Sequence, residues 1–191
     1  MDKPLLYFAT DTEWRTWLHD NHANYSGVYL IFYKISSDTP SMRWEEAVKV
    51  ALCYGWIDST VKRIDDERRK QHFTPRKPKS VWSKLNKTYL EQLFADNLMH
   101  QNGVKSIEVA KENGSWTSLD AVENGIIPDD LQVRFNTNKI AYNNYLNFAP
   151  SYRKGYLYSL HSAKRDATRL KRIDEIIELC AANKKQKKGT W

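Results

Sequence analysis

The stretch Trp44-Glu-Glu-Ala-Val-Lys-Val-Ala-Leu-Cys-Tyr-Gly-Trp-Ile-Asp-Ser59 decides the fold. Trp44, Ala47, Val48, Ala51 and Leu52 recur at i, i+3, i+4, i+7 and i+8, one face of an α-helix. Thr39-Pro40-Ser41 precedes it as a turn, which predicts Ser41 as N-cap, and Glu45 and Glu46 suit the positive end of the helix dipole. Gly55 can close the helix in a left-handed conformation. Beyond it, residues 56–64 and 71–74 have strand character across a charged turn at 65–70. A helix that gives way at once to two strands makes this region α+β.

The flanks extend that reading. Leu5 to Phe8 is a short apolar run that can start a strand, and Thr10-Asp-Thr-Glu13 has capping-box spacing ahead of Trp14, Trp17 and Leu18. Val28 to Tyr33 is apolar at every position, which predicts a strand covered on both sides. After Pro75-Arg-Lys-Pro-Lys-Ser80 the pattern becomes helical. Trp82, Leu85, Tyr89, Leu90, Leu93, Phe94 and Leu98 trace one stripe. Val104, Ile107, Val109 and Ala110 trace another, stopped by Asn113-Gly114, and Thr117-Ser-Leu-Asp120 again has capping-box spacing. Pro128-Asp-Asp130 opens a further helix. The last one shows Leu170, Ile173, Ile176, Ile177 and Cys180 on one face. The expectation is an α+β chain: a small mixed α/β half at 1–80 with a few-stranded sheet, an all-α half at 81–183, and a disordered basic tail at 184–191.

The chain has 191 residues, 41% of them hydrophobic and 13% aromatic, enough apolar material for a core. It carries a formal net charge of +7. No apolar run is long enough for a membrane span, and the N-terminus lacks the pattern of a secretory leader. Cys53 and Cys180 stand alone, which suits a reducing, cytoplasmic setting. The charge is local. Residues 60–90 hold ten Lys or Arg against three acids, and the remainder is balanced, twenty against twenty.

That basic segment is the candidate site. Ser80 or Ser83 can cap a helix whose free N–H groups attract an anion. Arg76 supplies a bidentate fork, and Lys77, Lys79 and Lys84 add longer-range attraction. Trp82 either offers a flat face for stacking or heads the core stripe of its helix. Asn86 can tie the loop to the helix. Asp58 stands alone between apolar neighbours, where it either braces the loop, with Arg76 or Arg63 as partner, or serves as a general base. The pair His19 and His22 lacks a third metal ligand, Cys53 has no histidine placed to activate it, and no phosphate-loop, dinucleotide or zinc-protease motif occurs. No cofactor and no metal are expected.

The run from Trp44 to Ser59 and the segment Phe73-Thr-Pro-Arg-Lys-Pro-Lys-Ser-Val-Trp-Ser-Lys-Leu-Asn86 resemble signatures of the YdeI/OmpD-associated, bacteriocin-protection family. Pro150-Ser-Tyr-Arg-Lys-Gly-Tyr-Leu and Ala163-Lys-Arg-Asp-Ala-Thr-Arg-Leu-Lys-Arg-Ile173 resemble its helical C-terminal domain. The sequence departs from the pattern at Ala167 and at Ser159-Leu160. The resemblance implies a role in tolerance to bacteriocins or cationic antimicrobial peptides and supplies no catalytic residues. Three functions follow as expectations. The first is a module binding an anionic small molecule, an acidic protein surface or nucleic acid through residues 75–87. The second is an enzyme on a small phosphorylated or carboxylate substrate, with Arg76 as clamp and Asp58 as base. The third is a protein adapter using exposed tyrosines at 142, 145, 152, 156 and 158.

Overall fold

A computed structural model of the chain describes residues 3–185. The chain divides into two compact units, Met1–Thr117 and Ser118–Trp191. In the first unit the order is β1 (Leu5–Tyr7), α1 (Asp11–Asn21), β2 (Val28–Tyr33), α2 (Trp44–Cys53), β3 (Trp56–Arg63), β4 (Arg68–Pro75), α3 (Lys84–Ala95) and α4 (Gln101–Glu112). The second holds α5 (Asp120–Glu123), α6 (Asp129–Thr137), α7 (Lys139–Asn147), α8 (Pro150–His161) and α9 (Asp166–Ala181). The fold is α+β. Among the described residues no helix is long and apolar enough to cross a membrane.

The sheet runs β1-β2-β4-β3, with β1 parallel to β2 and β4 antiparallel to both its neighbours. β2 alternates buried with half-buried positions. It is therefore covered fully on one face only, and the expected two-sided cover is corrected: an all-apolar run gives no period to tell the two cases apart. Val28, Leu30 and Phe32 point inward and pair with Phe73, Gln71 and Arg69. Trp14, Leu18, Val48, Leu52 and Trp56 complete the buried layer over that face. An aromatic ring of this kind buries about 150–250 Å², worth about 4–6 kcal/mol before ordering costs at about 25 cal/mol/Å².

The α1 capping box forms as its spacing predicts, with Thr10 accepting from the Glu13 amide. α2 starts two residues later than expected. Arg43 is its N-cap residue, and the Glu46 carboxylate accepts from the Arg43 amide at 2.6 Å. Ser41 is used elsewhere, accepting from the Tyr33 amide at 3.2 Å to hold the β2 end. Strand β4 begins at Arg68, so the turn before it is shorter than the sequence suggested.

The change of texture after residue 80 is a change of secondary structure inside the first unit. Tyr89, Leu90 and Leu93 of α3 and Ile107 and Ala110 of α4 join the same core as the sheet. The division at 80/81 drawn from helical periodicity therefore moves to 117/118. Leu85, Phe94 and Leu98 of the expected stripe are 42–47% exposed. Two close approaches fix α4. Gly55 adopts φ +73°, where an added Cβ would sit 2.9 Å from the Asn102 carbonyl, and a Cβ on Gly103 would overlap the Cys53 carbonyl. The His100 amide donates to that same carbonyl at 3.1 Å.

In the second unit, Leu131, Phe135, Tyr145, Tyr156, Leu160 and Ile176 are buried. Tyr145 and Tyr156 are thus core residues rather than docking anchors, while Tyr158 is 47% exposed. Leu170 is 60% exposed, unlike its expected companions Ile173 and Cys180. Thr117 caps no helix; Leu119 precedes α5 without a side-chain bond. Of the basic tail, Lys184 and Lys185 follow α9 without regular structure, and the disorder expected for 186–191 lies outside the described residues.

Candidate anion-binding site

The basic loop is built as a sequence of tight turns. The Arg76 amide donates to the Gly55 carbonyl at 2.9 Å, so the end of β4 is fastened to the glycine that ends α2. Ser80 closes the next turn: its amide donates to the Lys77 carbonyl and its hydroxyl accepts from the Lys77 amide at 3.0 Å. Ser83 is the N-cap of α3 and accepts from the Asn86 amide at 3.2 Å. Both serines cap, each a different turn. Lys84 is the first residue of α3, exposed, as is Lys77. The Asn113 side chain donates to the Pro78 carbonyl at 2.7 Å and pins the loop from the end of α4.

Trp82 is 1% exposed and belongs to the core. One face is already taken by the Arg76 guanidinium, 3.4 Å from the ring centroid. Trp116 tilts against Trp82 at 5.2 Å, and the ammonium groups of Lys87 and Lys111 lie 5.0 and 5.5 Å from the Trp116 centroid. Cation, indole, indole and cation alternate through the loop. Trp82 thus holds Arg76 in place.

Arg76 is the anomaly. Its Nη1 donates to the Val81 carbonyl at 3.1 Å. Nε and Nη2, the two nitrogens that form the side-on fork of a guanidinium, are shut off from solvent and have no hydrogen-bond partner. Burial drives its pKa down to about 9, with only the negative charge of Asp58 acting the other way. A buried charge with two unsatisfied donors is costly, and native structures rarely keep one without a reason.

Arg76 lines a cavity of about 310 Å³. Lys77 and Pro78 of the loop form one wall, Asn102, Lys105 and Ser106 of α4 another, and His22, Tyr54 and Trp56 the remainder. Three cations line it and no carboxylate does. The α4 side chains escaped the sequence reading because that helix was assigned to a separate half. Their signal was Gly103, a glycine inside a helical pattern, which often marks a close packing contact.

Asp58 does not line the cavity. Its Oδ2 accepts from Trp44 Nε1 at 2.9 Å and from Gln71 Nε2. Neither Arg76 nor Arg63 bonds to it; Arg63 reaches Asp66 and the Asp65 carbonyl. Sequence spacing named arginines for Asp58 because charge was the only partner visible there. The strand register instead brings a tryptophan and a glutamine.

The histidines gather at the end of α1. His100 lies 4.8 Å from His22 and 6.2 Å from His19, ring to ring, and supplies the third imidazole that the sequence lacked. His22 Nδ1 is engaged with the Leu18 carbonyl, and His100 Nδ1 accepts from the Asn102 amide. Among the described residues no group of three or more His, Cys, Asp or Glu is arranged to hold a metal. Cys53 is buried, and that burial raises its thiol pKa, against the needs of a nucleophile.

No curated protein and no solved structure matches the chain. Two family models match, in consecutive segments. The motifs at 44–59 and 73–86 that resembled YdeI/OmpD-associated proteins fall inside the first match, and the two C-terminal motifs inside the second. The chain belongs to the family described as domain of unknown function DUF8412, matched over residues 6–106, and its second unit carries a bacteriocin-protection, YdeI or OmpD-associated domain over residues 124–183.

Proposed function

We propose that the first unit binds a small oxyanion, a phosphate or carboxylate group on a small molecule, in the cavity beside Arg76. The observation that supports this best is a buried guanidinium whose side-on fork lacks a partner, beside a space lined by cations and no acid. For an anion to meet that fork, the guanidinium has to turn toward the cavity it lines, and the two missing hydrogen bonds would then become charge-assisted ones. Lys77 and Lys105 raise the local potential, and Asn102 and Ser106 offer uncharged contacts. Arg76, Lys77, Trp82 and the caps Ser80 and Ser83 act as one unit: the first three line the cavity, and the two serines hold the loop. Asp58 favours the charged form of Arg76 and does not line the cavity, which supports binding over catalysis.

The description of the second-unit family, bacteriocin-protection, supports a proposed role in tolerance of bacteriocins and, by extension, of cationic antimicrobial peptides. A cation-lined cavity repels a cationic peptide, so tolerance would run through the bound anion. Two free cysteines suit a cytoplasmic protein. Calorimetric titration of the full chain with inorganic phosphate tests the site. Wild type is expected to bind, and Arg76→Lys, which keeps charge but lacks the fork, to bind at least tenfold more weakly. Equal binding by both, or none by wild type at millimolar phosphate, overturns the assignment. Peptide sensitivity of cells carrying only Arg76→Lys, compared with wild type, tests the link to tolerance.

A further inference from the structure

A second cavity, of about 410 Å³, opens at the other end of the sheet. Its floor is Phe32 and Met42, 2% and 3% exposed, and Trp44 forms one wall, while the Tyr33 ring turns to the other face of the sheet against Tyr7. The Trp44 indole is held in place by the bond from its Nε1–H to Asp58. That is a structural reason for Asp58 to exist.

The rim is cationic in an unusual way. By register, Arg63 faces Arg69 across β3 and β4, and Arg69 faces Phe32 across β4 and β2, so all three share one face. Like charges directly opposite each other on a sheet are destabilising. The next pair outward, Lys62 with Lys70, repeats the pattern on the other face, where Lys70 lies 4.8 Å from the Tyr29 ring centroid. On the cavity face, Arg63 reaches Asp66, which does not line the cavity. Arg69 lies 5.7 Å from the Phe32 ring centroid. Among the described residues neither Arg69 nor Arg43, which also lines the cavity, takes part in an ion pair.

Two carboxylates line the space, and both are engaged. Asp65 is clasped by the Arg68 guanidinium at 2.6 and 2.7 Å and also accepts from the Glu67 and Arg68 amides. Glu67 lies 3.5 Å from the Ser37 hydroxyl. Ile35, 82% exposed, stands at the rim with nothing apolar to cover. Ligand cavities span about 300–1,000 Å³ and combine an apolar lining with a few polar groups.

We propose that this cavity binds a small aromatic anion: a flat ring system carrying a carboxylate, sulfonate or phosphate group. The ring would lie on Phe32 and Met42 against the Trp44 indole, and the anionic group would meet Arg43 and Arg69 at the mouth. Aromatic walls favour an aromatic body over an alkyl chain, and guanidinium groups accept both a ring face and an oxyanion. The site is independent of Arg76, which lies in the other cavity.

The test is calorimetric titration of the full chain with 1-naphthoate, neutral 1-naphthylmethanol and cationic 1-naphthylmethylammonium. Naphthoate is expected to bind at least tenfold more tightly than the other two. Titrated in the Arg76→Met background, which removes the fork of the other anion cavity, the double variant Arg43→Gln, Arg69→Gln should lose at least tenfold in naphthoate affinity. Ile35→Glu, at an exposed position that leaves folding intact, places a carboxylate at the mouth and should also weaken naphthoate. Similar affinity for all three compounds would reveal a merely apolar groove and overturn the proposal. So would absence of binding in the Arg76→Met background, or indifference to the rim variants.

Discussion

Replacing Arg76 with methionine separates a charge kept for a ligand from a charge built into the fold. A guanidinium cannot shed its proton to escape burial. Burial pushes its pKa down to about 9, so the site tolerates the cation poorly, at a cost of about 5 kcal/mol. Against this stand the contact with Trp82, worth about 2 kcal/mol when desolvated, and the bond to the Val81 carbonyl, worth about 2 kcal/mol. Methionine keeps an unbranched apolar stem over the indole and removes the cation. The expected result is an Arg76→Met protein as stable as wild type or more so by about 1 kcal/mol, where truncation of an ordinary buried side chain costs about 2–5 kcal/mol. Urea unfolding followed by tryptophan fluorescence gives the comparison. Inorganic phosphate completes it. At a hundredfold excess over its dissociation constant it should stabilise wild type by about 2.7 kcal/mol and leave the variant unchanged. A loss above about 3 kcal/mol in Arg76→Met, or equal stabilisation of both proteins by phosphate, would show that the guanidinium is already satisfied within the fold.

Other consequences can be checked independently. Gly103→Ala forces a methyl into the Cys53 carbonyl, which is backbone and cannot swing away, so urea unfolding should show a loss above about 2 kcal/mol; a neutral outcome would mean α4 does not depend on that approach. His72 and His100 both bind protons less tightly when folded, chiefly through burial, with Lys3 adding to the effect at His72 and His22 and His19 at His100. Their contribution is complete above the unfolded value near 6.5 and is lost as pH falls through the lower folded values. Urea midpoints should drop between pH 7.5 and pH 5, less so in His100→Asn, which keeps a cap for α4; a rise on acidification would refute this. Retention on nucleic acid should have a shallow salt dependence, a log–log slope below about 2, because only a few cations lie free on any one face; a slope of 5 or more would point to a polyanion groove.

The sequence was most legible where periodicity and termination agreed. α2 appears as expected because five apolar positions fix one face and Gly55 ends it. Its start was misplaced because Ser41 is a good cap by composition but is drawn away to the β2 backbone, a contact between segments that no local rule contains. Periodicity picked out Tyr89, Leu90 and Leu93 of α3 and Ile107 and Ala110 of α4, but it also grouped the exposed Leu85, Phe94 and Leu98 with them and could not say which layer they cover. That is why the unit boundary moved from 80 to 117. Trp82 had two readings, a face for stacking a base or ring and a core residue; it is a core residue, and Arg76 covers one of its faces. The α4 wall of the Arg76 cavity and the meeting of His100 with His22 depend on helix docking, and only the glycines at 55 and 103 hinted at it.

The basic segment is where sequence and structure give different pictures of the same residues. Along the chain, ten cations in residues 60–90 resemble one patch. The pleat of β3 and β4 splits them, placing Arg63 and Arg69 on one face and Lys62 and Lys70 on the other. Local pairing takes others: Arg68 holds Asp65, and Arg63 reaches Asp66. The loop then withdraws Arg76 from the surface onto Trp82. A long polyanion needs cations at a steady spacing on one exposed track, and this fold breaks that track at every step. Two concave spaces remain instead, one beside Arg76 and one beneath Arg69, each with more cations than acids and each backed by aromatic rings. On the two proposed assignments, segregating the charge in this way would favour small anions with one charged group over extended ones, and the two cavities would select different bodies behind the same kind of head group.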